Sequence, residues 1–362
     1  MASIQPVFVF GYDHSGTSLL QNVLRQHPHV FSQRSESAFY QMPQYYRPLY
    51  PTLDSETSLN GMIAFCANLI ITGHRRLYEV KTEPLDPDIL TPDELTAIRA
   101  TLPTNPPHRL VFPATFTFLA QQAGKRVWVE KTPDHTLQAT QIMGEIPDAL
   151  AVEIVRDGRD TISSKKLREQ RLKARLKDGT ATIDDQASRG MMEFDAFWNS
   201  LAWRSAIHAV NRARARFPDR ICTVRYEDLT ADPEGTVRRV CDFIGIDFQP
   251  QMLKTERSNI AGRDKLERDA GMGIVASAVG RWHSTLNRGE KALSTRLLHT
   301  ELRQHGYPAD VLSLTDRALS VFTALVSIPK IGKRVYNKLR NKGVRHTLNS
   351  LASYVRRIVP SR

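Results

Sequence analysis

The chain has 362 residues, 41% hydrophobic and 24% charged, which suits one large α/β domain or two small ones in an ordinary soluble globular protein. Its three cysteines, Cys66, Cys222 and Cys241, form no C-x-x-C pair, which argues against a disulfide framework or a zinc site and for a reducing, intracellular compartment. The net charge of +12 is uneven: 11 of the 50 Lys and Arg follow Asp316 with no acid among them, whereas the first 316 residues hold 39 bases against 38 acids. A nearly neutral body with a basic tail points to an anionic surface, either membrane or nucleic acid, as the tail's partner. No secretory leader is expected, because the first strand starts almost at Met1 with no basic segment ahead of it. No apolar run approaches the ~20 residues that cross a bilayer.

In chain order, "VFVF" (Val7–Phe10) predicts a buried strand. "GYDHSGTS" (Gly11–Ser18) follows, then a helix that begins near Ser18 and carries Leu19, Leu20, Val23 and Leu24 to His27 and Pro28. "MIAFCANLII" is too short to span a bilayer and contains an Asn, so a buried helix is expected. "TPDELTAIRATL" opens with a capping box: Thr91 as N-cap, Pro92 at N1, Glu94 at N3. "VWV" (Val127–Val129) and "AVEIV" (Ala151–Val155) predict two more strands. Arg156 to Arg159 then make a turn, and Ser163 and Ser164 fall on the following helix. From about Lys165 to Asp185 the chain is densely charged. This is read either as a solvated helix and loop or as an insertion over the site, reaching to about residue 200. "ICTV" (Ile221–Val224) is the fourth strand, and "DPEGTVRRVCDFIGI" a helix started by Asp232 and Pro233 with Val237, Val240 and Ile244 on one face. Strands alternating with helices imply an α/β fold, a central parallel β-sheet flanked by helices.

The body is expected to span 1–316 and a basic amphipathic helical tail 317–362. In the tail Ile331, Val335 and Leu339 form one apolar stripe, and Leu348, Leu351, Tyr354, Val355 and Ile358 another. Lys333, Arg334, Lys338, Arg340 and Lys342 fall between or opposite. Such a helix suits an anionic membrane surface, or packs on the body or on a second subunit.

The loop reads G-x-x-x-x-G-T-S where the P-loop of nucleotide triphosphatases reads G-x-x-x-x-G-K-[ST]. Gly11 and Gly16 permit a tight turn and a close ligand approach. Ser15, Thr17 and Ser18 add hydroxyl donors to the positive end of the helix that follows. Without the lysine, a γ-phosphate lacks its cation. A donor with a single diphosphate-like group, such as a phosphosulfate, needs less. In "IVRDGRDTISSKK", Arg156 at a strand end and Ser164 eight residues on can converge on one phosphate. His27 and His29 flank Pro28 near a helix end, and His108 and His135 stand isolated, so no metal site is expected. The body lacks basic segments interleaved with base-stacking aromatics, so nucleic acid is not an expected partner.

Together "GYDHSGTSLL" and "VRDGRDTISS" resemble the 5′-phosphosulfate loop and the 3′-phosphate motif of the PAPS-dependent sulfotransferase family. "WVEKTPDH" is similar to the strand-end segment of its bacterial and tyrosylprotein branches, "VRYEDLTADPEGTVRRVCDFIGI" to its donor-contacting strand and helix, and "VGRWHSTL" to its late Gly-Arg-Trp segment. The resemblance covers roughly residues 4 to 290. It implies a P-loop NTPase-like sulfotransferase fold and transfer of a sulfuryl group from PAPS to a hydroxyl, with release of PAP and no metal. It implies that Gly11, Ser15, Gly16, Thr17 and Ser18 surround the phosphosulfate, that Arg156 and Ser164 hold the 3′-phosphate, that Tyr226 and Arg281 add donor contacts, and that Lys131 supports charge on the transferring group. The family usually has a permanent cation where this chain has His14, which is then a protonated donor contact or, neutral, a base. Related branches place a glutamate shortly after the first helix. Glu36, the one carboxylate of "HPHVFSQRSESAFY", is the expected general base although it falls one residue beyond strict register, with His14 the alternative. The expected acceptor is a hydroxyl of a carbohydrate, a lipid or another small molecule. The expected location is the cytoplasm, or the inner face of the membrane as a peripheral enzyme. An ATP-dependent kinase with a degenerate P-loop, and a non-catalytic protein that binds PAP or a membrane, are the alternatives.

Overall fold

A computed structural model describes residues 4–33, 36–41, 43–73, 86, 88–181, 194–255, 274, 276, 278–309, 311–333 and 336. The chain divides into two compact units, one formed by Met1–Ile154, Ala209–Asn259 and Gly271–Ile274, the other by Val155–His208, Ile260–Ala270 and Val275–Arg362. The sheet has five strands, β1 (Gln5–Phe10), β2 (Val30–Ser32), β3 (Val127–Glu130), β4 (Leu150–Val155) and β5 (Ile221–Arg225), in the order β2-β3-β1-β4-β5. β1 lies parallel to both β3 and β4, with Val7 opposite Val129 on one side and Leu150 on the other, and β2 is parallel to β3. Val7, Phe8, Val9 and Phe10 are all buried, as a central strand covered on both faces requires. The four strands read from apolar runs are present, each one or two residues longer than expected. β2 was not expected.

The helices in chain order are α1 (Thr17–Arg25), α2 (Pro43–Tyr46), α3 (Glu56–Thr72), α4 (Pro92–Arg99), α5 (His108–Gln122), α6 (Ala139–Glu145), α7 (Gly158–Asp178), α8 (Ala196–Arg216), α9 (Tyr226–Ala231), α10 (Pro233–Ile244), α11 (Trp282–Thr285) and α12 (Arg288–Gln304), with α13 at residues 314–333. α3 is the expected buried helix, its Met62–Ile70 enclosed. α4 starts with the expected capping box, and α10 is capped by the Asp232 side chain accepting from Gly235 N. The core of the first unit gathers around Trp128, whose ring stands edge-on to Phe8 and stacks on Phe116 at 4.6 Å. The Trp128 indole N–H donates to Thr117 Oγ1, so the largest core side chain leaves no polar atom unpaired.

In the second unit α7 runs without a break through Lys165, so the first half of the charged stretch is a continuous helix. Residues 182–193 lie outside the described residues. Helix α13 covers the start of the predicted tail, whereas Arg334, Val335, Lys338, Leu339, Arg340, Lys342 and the stripe from Leu348 to Ile358 lie outside the described residues. Among the described residues no helix is long and apolar enough to cross a membrane.

Candidate active site

β1 ends at Phe10 and the chain turns through residues 11–16 into α1. At Gly11 a Cβ would come within 2.6 Å of the Ile154 carbonyl oxygen, so its missing side chain lets the loop pack on β4. The Thr136 hydroxyl holds the same residue, accepting from Gly11 N at 2.9 Å and facing Gly11 O at 3.1 Å. Gly16 has φ +99°, and a Cβ there would meet the Tyr226 ring at 2.5 Å. Only glycine meets both demands. Gly16 is the N-cap of α1, and among the described residues no side chain caps that helix, which leaves first-turn N–H groups and the positive dipole end for an anion. Ser15 is 1% exposed and its hydroxyl has no hydrogen-bond partner among the described residues. Such a group costs about 1–3 kcal/mol when buried alone, and a phosphate or sulfate oxygen would remove that cost. Thr17 is also buried. His14 sits at φ +68° with Nε2 3.5 Å from Asp13 Oδ2, an uncommon backbone conformation for a non-glycine residue.

Lys131 directly follows β3. Its side chain is 4% exposed, and its Nζ donates to Glu36 Oε1 at 2.8 Å, the glutamate being 37% exposed. Two of the three predicted catalytic residues, Lys131 and Glu36, therefore meet. What holds them together is a third carboxylate that sequence reading missed. Glu130, 1% exposed, accepts from Ser37 Oγ (2.8 Å), Thr132 Oγ1 (2.7 Å), Gln33 Nε2 (3.2 Å) and His135 Nδ1 (2.7 Å). Ser37 follows Glu36 and Thr132 follows Lys131, so one buried carboxylate anchors both segments. Tyr40 N donates to His135 Nε2 at 3.3 Å, which puts the imidazole proton on Nδ1, facing Glu130. His135 was expected to stand isolated. It is instead a buried member of this network.

Burial pushes the Glu130 carboxyl up, but the adjacent His135 and the hydrogen bonds from His135, Thr132 and Ser37 outweigh it and hold the group below the usual carboxylate range. A carboxyl with a lowered folded pKa adds stability that is full above its unfolded value, ~4.3, and is lost as pH falls through the folded value. Denaturant unfolding should therefore show stability falling with pH in that acid range, and Glu130→Gln should flatten the fall. Equal slopes for the two proteins would overturn Glu130 as its source.

In the second unit Arg156 is 4% exposed. Its Nη1 donates to Ser164 Oγ at 3.4 Å, and its Nη2 bonds the Ala278 carbonyl and stands 3.8 Å from Asp160 Oδ2. Arg156 and Ser164 are thus brought together as expected, in a buried cluster rather than on the surface. Asp160, 1% exposed, accepts from Gly280 N (2.8 Å) and Trp282 N (2.9 Å). Arg281 lies between those two residues, so Asp160 anchors its segment on α7. Arg159 forks onto Asp157 (3.0 and 2.7 Å) and covers the Trp282 ring at 4.1 Å. Trp203 Nε1 donates to Arg156 O at 3.2 Å. Burial raises the Asp160 carboxyl above its ordinary value, with the Arg156 charge and the two N–H donors opposing. Among the described residues no three His, Cys, Asp or Glu side chains converge as a metal site.

A family model described as the sulfotransferase family matches residues 6–250. The chain belongs to the sulfotransferase family. Its structure is similar to the sulfotransferase domain of the Synechococcus PCC 7002 olefin synthase (20% identity, TM-score 0.46, covering 83% of this chain and 96% of that one). It is also similar to the sulfotransferase domain of the curacin biosynthetic pathway (16%, 0.47, 86% and 99%) and to a mouse sulfotransferase complexed with PAP (12%, 0.41, 89% and 90%). No curated protein matches the chain. Family membership makes this a PAPS-dependent sulfotransferase and sets the kinase alternative aside. The sulfotransferase has a parallel sheet whose β1, β3 and β5 lead straight into Gly11, Lys131 and Tyr226, as ligand sites at the carboxyl ends of strands require. Glu130 and Asp160 were missed, though each carried a signal. Glu130 is a charge closing an otherwise apolar strand, and Asp160 is the second acid of "RDGRD".

Proposed function

We propose that this sulfotransferase transfers the sulfuryl group of PAPS to a hydroxyl of a carbohydrate, a lipid or another small acceptor in the cytoplasm, and releases PAP. In this reading Ser15, Gly16, Thr17 and Ser18, with Gly11 and His14 beside them, hold the 5′-phosphosulfate. Arg156 and Ser164 take the 3′-phosphate, and Tyr226 and Arg281 add donor contacts. The observation that carries it is the buried Ser15 hydroxyl, without a partner among the described residues, at the start of α1, which no described side chain caps. As the acceptor oxygen attacks sulfur, the bond from sulfur to the 5′-phosphate oxygen breaks and the hydroxyl proton passes to Glu36. Lys131, 2.8 Å from Glu36, steadies the charge that develops on the transferring group. A second reading makes His14 the base, favoured by its left-handed φ of +68° inside the loop, since backbone strain gathers at reacting sites.

Thermal unfolding tests the donor assignment. PAP should raise the melting temperature, through binding to the folded state, more than ADP does and without added metal. A charge-assisted hydrogen bond is worth ~1.5–3 kcal/mol, so Arg156→Ala should weaken PAP binding about tenfold or more. Equal shifts with ADP and PAP would overturn the 3′-phosphate assignment.

A further inference from the structure

Helix α13 (314–333) faces the wrong way for a helix packed on a soluble body. Its inward positions are small and hydroxylated. Ser320 and Ser327 are buried, Ser320 Oγ accepts from Arg296 Nη1 at 3.2 Å, and Thr323 and Leu319 lie against Gly289 of α12. Its outward positions are apolar: Leu314 is 82% exposed, Val321 46%, Phe322 63%, Leu325 56%, Val326 47% and Ile328 60%. Leu314, Val321, Leu325 and Ile328 follow the helical repeat as one stripe, with Phe322 and Val326 beside it. An amphipathic helix that serves only its own fold buries this stripe, and a contiguous exposed apolar patch marks an interaction surface.

The patch runs on, through Val321 and Arg317, into a groove of about 620 Å³ whose walls include apolar Val311 and Leu312 and the basic side chains of Arg296 and His299. Apolar walls with basic groups along them suit an amphiphile with an anionic head. The sequence from Asp316 onward decides between occupants. Asp316 is the one acid in α13, and it is bound to Arg288 Nε at 2.7 Å, while the 11 bases after it have no acid among them. A second copy of the same chain would bring the same positive charge to the interface and be repelled. An anionic bilayer is attracted by every one of those bases.

We propose that α13 and its groove dock the protein on an anionic lipid leaflet. Phe322, Leu325 and Ile328 enter the acyl boundary, and Arg296, His299 and Arg317 meet lipid phosphates. None of the residues named on this surface is among those assigned to the donor or to the transfer step, and the surface would hold the enzyme where an acceptor in or beside the membrane is presented.

The test is sedimentation of the full chain with vesicles of phosphatidylcholine alone and of phosphatidylcholine with phosphatidylglycerol, at low and high salt. The chain should pellet only with the anionic vesicles, and less at high salt. Phe322→Asp and Leu325→Asp, at positions exposed enough to leave the fold intact, should each lower partitioning about tenfold or more, with an unchanged melting temperature. The proposal is overturned if the chain stays in the supernatant with anionic vesicles at low salt. It is equally overturned if the double variant pellets like the wild type, which would assign binding to the basic residues alone. A dimer that these substitutions split, with no vesicle binding, would make the face a contact between copies instead. Since the readout is partitioning, none of these failures touches the assignment of sulfuryl transfer, which the PAP titration tests.

Discussion

Replacing Lys131 by alanine should lower kcat about a hundredfold or more and leave PAP affinity within a few fold. Removing one preorganised donor aimed at developing charge costs about 10²–10³ in kcat. Lys131 is 4% exposed, so water does not replace the lost cation and the interaction is weakly screened. The substitution also removes the Lys131–Glu36 ion pair at 2.8 Å, one of the contacts that would orient Glu36 as the proposed proton acceptor. Glu36→Gln keeps the size and a hydrogen bond but cannot take the proton, so its kcat should fall by a comparable factor. The double variant should be little worse than either single one, because the two groups act as a unit. Steady-state kinetics with PAPS and a hydroxyl acceptor, together with PAP titration, separate the possibilities. A raised KM for PAPS at unchanged kcat would make Lys131 a ground-state donor contact. Normal turnover in Glu36→Gln alongside a dead His14→Gln that still binds PAP would move the base to His14.

The parts of this protein that sequence revealed are those whose physics is local. β1, β3, β4 and β5 stood out because strands buried on both faces need near-continuous apolar runs, and Val7–Phe10 is such a run, all of it buried. β2 is a three-residue strand, Val30–Ser32, at the end of the sheet order, too short to make a pattern. The Thr91 capping box depends on residues three apart and was legible. So was the turn of the loop into α1, because two glycines between an apolar strand and an apolar-periodic helix mark it within eight residues. Glu130 and Asp160 were not legible, because their roles depend on partners far along the chain. Ser37 reaches Glu130 across 93 residues, and Gly280 reaches Asp160 across 120. Read locally, Asp160 is an ordinary acid in the first turn of a helix; only its enclosure shows that it anchors the segment carrying Arg281. The orientation of α13 was hidden for a related reason. Periodicity identifies an apolar stripe but not which side packs, and here Gly289 of α12 admits Thr323 and Leu319 on the opposite side.

Asp160→Ala should destabilise the protein by about 3–5 kcal/mol, the cost of removing one partner of a buried ion pair. The carboxylate stands 3.8 Å from a guanidinium that is itself 4% exposed, and it accepts the Gly280 and Trp282 N–H groups. Alanine removes the acceptor of those two donors and the carboxylate beside Arg156, while the Arg156 bonds to Ser164 and the Ala278 carbonyl remain. Asp160→Asn keeps one acceptor oxygen and its shape, so its cost should be smaller, about 1–3 kcal/mol. The two buried acids, Glu130 and Asp160, should then diverge with pH. The Asp160 carboxyl is raised by burial, so its contribution is full below the unfolded value, ~3.9, and is lost as pH rises through the folded value. Denaturant unfolding across that window should show the wild-type margin over Asp160→Asn narrowing as pH rises, whereas the margin over Glu130→Gln widens. A wild-type denaturation midpoint for Asp160→Ala would show that the 280–282 segment is held by other contacts. A margin over Asp160→Asn that grows with pH would mean that Arg156 and the two N–H donors outweigh burial, and that the folded protein holds Asp160 below its ordinary value.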